Sequence, residues 1–344
     1  MSRQAQRLAC LAGGSWSFDC AAKHLKEFCG LSLADNTIRA VCQGQGSAMA
    51  AWQREDSAAQ EPFRCAVGDI EFTTDGTCVN TWEGWREMRV GIFSKRRRGE
   101  PADAAGWATR KLPAPHVRVA FAAIEKSERF ASRWSAWATR LGMGDRAQVS
   151  VLGDGARWIW DQSALHFPGA TEVLDIYHGL EHVAQTAKVL YGEETAAAKS
   201  WNDTARDALL TEGWPAMKRH LQTTRDQVAT TQTTRGRVAT TPSTRGRVAK
   251  TQTTRGRVWK KAQRHSLDDL AGYLGRSPEH LCYARRLAEG RSIGSGQVEG
   301  ACKHAIGRRL KQTGARWRVR RVNRMANLCC LLYSDQWDAY WKNP

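Results

Sequence analysis

The run Ile70–Phe93, IEFTTDGTCVNTWEGWREMRVGIF, constrains the fold more than any other part of the chain. Thr, Val, Ile and Phe fit a pleated, half-buried surface, and Glu83–Gly84 suits a reversal. The run therefore predicts two strands around a turn. Three further strands are predicted at HVRVAFAAI (116–124), in AQVSVLGDGARWIW (147–160) up to Gly153, and at ATEVLD (170–175). Between them, Phe130, Trp134, Trp137 and Leu141 recur at helical spacing, and a short helix follows Gly155. Tyr177, Leu180, Val183 and Ala187 then mark one side of a helix over 176–192. Strands interleaved with helices predict an α/β fold.

Helices are predicted on both sides of this segment. Residues 1–50 place Phe18, Ala21, Ala22, Leu25 and Phe28 on one face, with Gly30 as a stop. A second short helix carries Ile38 and Val41 and ends at Gly44. The pair reads as a helix-turn-helix-like DNA-binding segment or as a plain helical hairpin. Residues 51–65 read as a polar linker, 66–190 as the first part of the core, and 191–290 as a helical insertion. Residues 222–261 are four copies of a ten-residue unit with few large apolar residues, read as a flexible basic insertion. Residues 291–344 read as helical, with a long helix from about Gln297.

The net charge of +18 is localised. Residues 222–261 hold ten Lys/Arg against one Asp, and residues 300–344 hold ten against two, which accounts for +17 of it. Two basic blocks on an otherwise balanced chain predict a polyanion partner, nucleic acid first. No apolar run approaches the ~20 residues of a membrane span, and the N-terminus lacks the apolar stretch of a secretory signal. The expected location is cytoplasmic. The ten cysteines form no C-x-x-C pair, which argues against a zinc ribbon and for reduced thiols packed as small hydrophobes.

Three acids stand out. Asp75 lies mid-strand before Gly76. Asp154 ends a buried strand between two glycines. Glu299 falls in the first turn of a helix and is the only acid between Glu289 and Asp335. A carboxylate in an apolar strand needs a partner or an ion, and the flanking glycines would clear room for one. Three hard oxygen donors suit Mg²⁺ or Mn²⁺. The order strand-Asp, strand-end-Asp, helix-Glu matches a ribonuclease-H-like core, where two ions ~3.5–4 Å apart serve in-line displacement at phosphorus.

VLGDGARWIW (151–160), ATEVLDIYHGLEH (170–182) and IGSGQVEGACKHAIGRRLKQTGARW (293–317) resemble the DDE transposases of bacterial insertion sequences, in particular the Kra-type family related to mutator-like transposases. FTTDGTCVNTWEGWREMRVGIF, SFDCAAKHLKEFCGLSLADNTI and the DAYW ending are also similar to that family. The resemblance implies Asp75, Asp154 and Glu299 as catalytic, metal-holding residues with two Mg²⁺ or Mn²⁺ ions. It implies that Lys303, Arg308, Arg309, Lys311, Arg316 and Arg318 hold the DNA backbone. It implies double-stranded DNA partners, the element ends and the target, and a homo-oligomer acting near the nucleoid. Asp175-x-x-His178 would stand beside the site, Asp175 as a helix cap, with Asp154, Asp175 and Glu299 as the alternative triad. Trp158, Trp160 and Trp317 are packing residues or stacking platforms. Family members carry a longer N-terminal region with paired cysteines, so a shortened copy that binds DNA without cutting it is the alternative. A ribonuclease-H-like nuclease without strand transfer is another.

Overall fold

The computed structural model describes residues 1–238 and 248–342. Helices α1 (Arg3–Ser15), α2 (Phe18–Cys29), α3 (Asp35–Glu55) and α4 (Ser57–Cys65) precede strands β1 (Asp69–Thr81), β2 (Gly84–Arg96) and β3 (Val117–Ala123). Then come α5 (Ser127–Arg140), β4 (Val149–Gly153), α6 (Arg157–His166) and β5 (Thr171–Leu174). Helices α7 (Ile176–Tyr191), α8 (Ala196–Thr211), α9 (Trp214–Val238), α10 (Val248–Leu274) and α11 (Tyr283–Ala288) follow. The chain ends in α12 (Gly296–Ala301), a π-helical turn at Cys302–Gly307, α13 (Arg308–Leu310), α14 (Val319–Tyr333) and α15 (Trp337–Lys342).

The fold is α/β, with one mixed sheet in the order β3-β2-β1-β4-β5. Strands β1, β2 and β3 pair antiparallel, and β4 runs parallel to β1 with Ile70 opposite Val149 and Thr73 opposite Leu152. The predicted hairpin is present. Trp82 and Glu83 make the reversal, and Gly84 at φ +96° adopts the left-handed conformation that closes it.

Two compact units divide the chain. The first comprises residues 1–98, 113–172 and 295–344. Its sheet is covered on both faces. Phe72, Phe93 and Phe121 pack with Phe130, Trp134, Trp137 and Phe167 of the α5–α6 side. Val79, Met88, Val90 and Ile92 pack on the other side with Ala9, Leu25, Ile38 and Met49 of α1–α3 and with Val298, Val322 and Leu328. The N-terminal helices thus share the sheet's core. Helix α3 runs on past Gly44 to Glu55, and its Gly46 lies against the Arg324 carbonyl of α14. Residues 51–65, expected as a linker, are helical. Asp56 caps α4 by accepting from Ala58 N, and Ala59 and Phe63 bury one turn apart. The predicted long helix from Gln297 is instead broken, first by the π-helical turn and then by the loop 311–318.

The second unit comprises residues 99–112 and 173–294. Helix α7 buries Ile176, Gly179, Val183 and Ala187, while Tyr177, expected on the apolar side, is exposed. The first repeat copy enters this unit through Thr224, which accepts from Trp201 Nε1 at 2.8 Å. Repeat residues up to Val238 and from Val248 are helical, and the flexible-insertion expectation for 239–247 lies outside the described residues.

Among the described residues no helix is long and apolar enough to cross a membrane. All ten cysteines are free. Cys10, Cys42, Cys329 and Cys330 are buried as predicted, whereas Cys20, Cys29, Cys65 and Cys78 are exposed.

Candidate metal centre and basic surface

In the first unit, the antiparallel register aims Asp75. It lies opposite Val90, so its side chain shares the sheet face of Val79 and Met88. Helix α12 packs on that hairpin, anchored by buried Val298 and Ala301. Glu299 sits between the anchors, half-exposed, 3.3 Å from Lys303 one turn on. The thiol of Cys302 ties the two acids together. Its Sγ is 4.0 Å from Asp75 Oδ2. Burial, then the Asp75 charge and more weakly that of Glu299, push its pKa up to about 12, and Lys311 opposes them. Lys311 donates to Thr77 Oγ1, two residues along β1 from Asp75. Two cations thus flank the two carboxylates. Gln297, at the start of α12, has both Nε2 and Oε1 buried without a hydrogen-bond partner. Such a group gains from a bound water or ligand.

Asp154 follows β4 directly. Its Oδ1 accepts from Ala156 N at 2.9 Å, and Gly155 at φ +93° turns the chain into α6. Gly76 and Gly153 do not clear space for a ligand as expected. A Cβ on Gly76 would meet Glu87 Oε1 at 2.2 Å, and one on Gly153 would meet Ile159 and Trp160. Those positions are small because protein side chains already fill them.

In the second unit, Asp175 is fully buried and caps α7, accepting from Tyr177 N at 2.7 Å. The capping role matches the expectation. His178 Nδ1 is 3.8 Å from the Asp175 carboxylate. Deep burial, and after it the Asp175 charge, push the Tyr283 hydroxyl well above its ordinary pKa, and Tyr283 donates to Leu174 O. His182 stacks on Tyr273 at 3.9 Å. Burial and the neighbouring His178 lower its pKa.

Within this unit Asp175 and His178 offer a carboxylate and an imidazole close enough to share a cation. Among the described residues of the first unit, Asp75, Asp154 and Glu299 do not bring three ligand atoms close enough together to hold one ion. A carboxylate and an imidazole can take a divalent cation and do not by themselves select one.

The six expected DNA-contacting cations divide. Lys303, Arg308, Lys311, Arg316 and Arg318 are exposed. Arg309 is buried and donates to Gly13 O at 2.6 Å. Its guanidinium lies over Phe18 and Trp317, at 4.6 and 5.1 Å, and burial lowers its pKa. Arg309 is therefore a core residue, since all its reach is spent inside the unit. The named tryptophans pack as well. Trp158 lies under Arg89 and near Trp134, and Trp317 donates to Leu310 O at 3.0 Å. Sequence reasoning missed Trp82, at the hairpin tip, which is 61% exposed. Its place in the turn was the available signal.

Compared with protein-family models and with curated protein sequences, the chain has no match.

Proposed function

We propose that the chain is a metal-dependent polynucleotidyl transferase of the DDE transposase type, which cuts insertion-sequence ends and joins them to target DNA. The observation that carries this reading is the setting of three acids on elements that meet at one sheet. Asp75 is on β1, Asp154 follows β4, which pairs parallel with β1, and Glu299 is on α12, which packs on β1 and β2. The strand order β3-β2-β1-β4-β5, with three antiparallel strands and a parallel fourth, supports a ribonuclease-H-like core. Carboxylates so placed hold hard divalent ions such as Mg²⁺ or Mn²⁺. Such ions supply charge stabilisation for the attacking and leaving oxygens at phosphorus. The protein's own part is to fix the carboxylates on rigid elements and to present cations to the DNA backbone. Lys303 beside Glu299 and Lys311 beside β1 are placed for the latter.

The sequence leaves a second ligand set open, in which Asp175 replaces Asp75 with Asp154 and Glu299. One assay addresses both. A labelled duplex carrying the element's end is incubated with the protein and Mg²⁺ or Mn²⁺. D154N and E299Q should each abolish cleavage and strand joining while DNA binding persists. Loss in D75N but not D175N supports the first set, and the reverse supports the second. Salt-sensitive binding with no metal-dependent product in the unaltered protein leaves a DNA-binding protein without catalysis. Cleavage without joined products leaves a nuclease.

A further inference from the structure

The tip of the β1–β2 hairpin carries a feature that the acidic residues do not use. Trp82 stands there 61% exposed. Its position is fixed by backbone bonds to the loop after α13. Trp82 N donates to Trp317 O at 2.9 Å, and Trp317 N donates to Asn80 O at 3.1 Å. Arg316 adds bonds to the carbonyls of Thr81 and Trp82, at 3.4 and 3.2 Å. The exposed indole is thus part of a braced structure.

Beside it opens a cavity of about 460 Å³, lined among others by Phe18, Arg39, Trp82, Arg316, Arg318 and Arg321. This volume lies within the ~300–1,000 Å³ range of small-ligand sites. The lining includes no Asp or Glu. Arg39, Arg316, Arg318 and Arg321 form no ion pair with any described carboxylate. Arg316 and Arg318 lie over the Trp82 ring, with Cζ at 5.4 and 5.6 Å from its centroid. Trp82 is seven residues from Asp75 along β1, roughly 24 Å at ~3.4 Å per residue. The cavity is accordingly a separate site.

Four arginines without carboxylate partners call for an anion, and the exposed aromatic face calls for a flat, apolar surface. A nucleotide carries both. In a duplex the base faces are stacked and cannot reach an indole, whereas an unpaired base can. We propose that the hairpin tip and the 311–321 segment bind single-stranded DNA, with a base against Trp82 and its phosphates among Arg39, Arg316, Arg318 and Arg321. The choice of DNA rests on the transposase reading, while the need for an unpaired nucleotide rests on the cavity alone.

The test is fluorescence anisotropy of the full chain with a fluorescein-labelled oligodeoxythymidylate in EDTA, where no metal chemistry can contribute. Failure of strand cleavage therefore cannot mimic failure here. W82A should weaken binding about tenfold or more, and W82F should retain most of it. R318A should lower the slope of log affinity against log salt by about 0.7, the share of one single-strand phosphate. Tighter, Trp82-dependent binding of the matching duplex would overturn the unpaired base. Equal affinity of W82A and the unaltered protein would overturn the site, as would equal loss in W82F and W82A. Trp82-dependent binding of oligouridylate alone would overturn DNA as the ligand. Thermal melts of each variant check that the exposed substitutions leave the fold intact.

Discussion

Cys302 Sγ lies 4.0 Å from Asp75 Oδ2, so a thiol from the helical C-terminal segment reports on a carboxylate of the central strand. Burial and the two nearby acids raise the Cys302 pKa to about 12. The thiolate is the reactive form, so this cysteine should be inert at mildly alkaline pH. Cys20 and Cys29, both exposed, should alkylate with iodoacetamide far sooner. Removing the Asp75 charge in D75N takes away one cause of the raised pKa. Cys302 alkylation should then begin at lower pH, as peptide mapping by mass spectrometry would read. An unchanged pH profile in D75N would show that the carboxylate does not act on the thiol.

Asp175 serves two purposes that one substitution can separate. Its side chain caps α7 through Tyr177 N, and its carboxylate lies 3.8 Å from His178 Nδ1, so the two could share a cation. Asn caps as well as Asp does but carries no charge. D175N should melt close to the unaltered protein without metal, whereas D175A should lose about 1 kcal/mol from the missing cap. A bound ion stabilises the folded state by RT ln(1 + [L]/Kd), about 2.7 kcal/mol at a hundredfold excess over Kd. Added Mn²⁺ should therefore raise the melting temperature of the unaltered protein and raise that of D175N less. An equal rise in both would remove Asp175 from any cation site.

Arg309 and its exposed neighbours should respond in opposite ways to truncation. Arg309 is enclosed by Phe18 and Trp317 and bonded to Gly13 O. R309A should cost roughly 2–4 kcal/mol of stability, from one charge-assisted hydrogen bond and buried cation–π contacts. Arg308, next in sequence, is exposed, and R308A should leave the unfolding midpoint nearly unchanged. If Arg308 contacts duplex DNA, its loss should lower the salt slope of binding by about 0.9. Urea titration and anisotropy at several salt concentrations read the two effects separately.

These residues also show where the sequence was legible. Strand alternation and the turn signal at Glu83–Gly84 revealed β1 and β2, although the reversal falls one residue earlier, at Trp82–Glu83. The run before Gly153 was also readable as β4, since Val149, Val151 and Leu152 make a short apolar run that ends at a glycine. Arg309 and Arg308 are identical in type, so only the three-dimensional neighbours distinguish core from surface. Helix α4 was hidden because Pro62 lies inside it and its burial rests largely on Ala59 and Phe63, too few large apolar residues to show a helical pattern. Gly76 and Gly153 looked like space beside an ion, yet cross-strand and helix side chains occupy it. Trp82 read as one tryptophan among fifteen until its exposure separated it.

Acid should weaken the fold through its partly buried histidines. Burial lowers the pKa of His166, which shares a 2.8 Å hydrogen bond with Ser135 Oγ, and likewise lowers those of His182 and His220. The unfolded chain therefore binds these protons more readily than the folded chain. Stability from each group is complete above about pH 6.5 and is lost as pH falls through its lower folded value. Urea midpoints should drop between about pH 7.5 and about pH 5, and H166N should show a smaller drop. A midpoint that rises on acidification over that interval would contradict the sign.

Gly44 and Gly46 lie two residues apart on α3, yet alanine should act oppositely at the two. No atom lies within 4 Å of a Cβ placed on Gly44. Alanine there gains helix propensity, so G44A should stabilise the protein by about 0.5–1 kcal/mol. A Cβ on Gly46 would stand 2.1 Å from the Arg324 carbonyl oxygen, a backbone atom that cannot rotate away. Helices α3 and α14 would have to separate across Ile38, Met49, Val322 and Met325, all fully buried. G46A should therefore cost about 1–3 kcal/mol, or more if the shift opens the core. Denaturant midpoints of the two variants decide the matter. Like signs would mean that the α3–α14 approach is looser than the 2.1 Å separation implies.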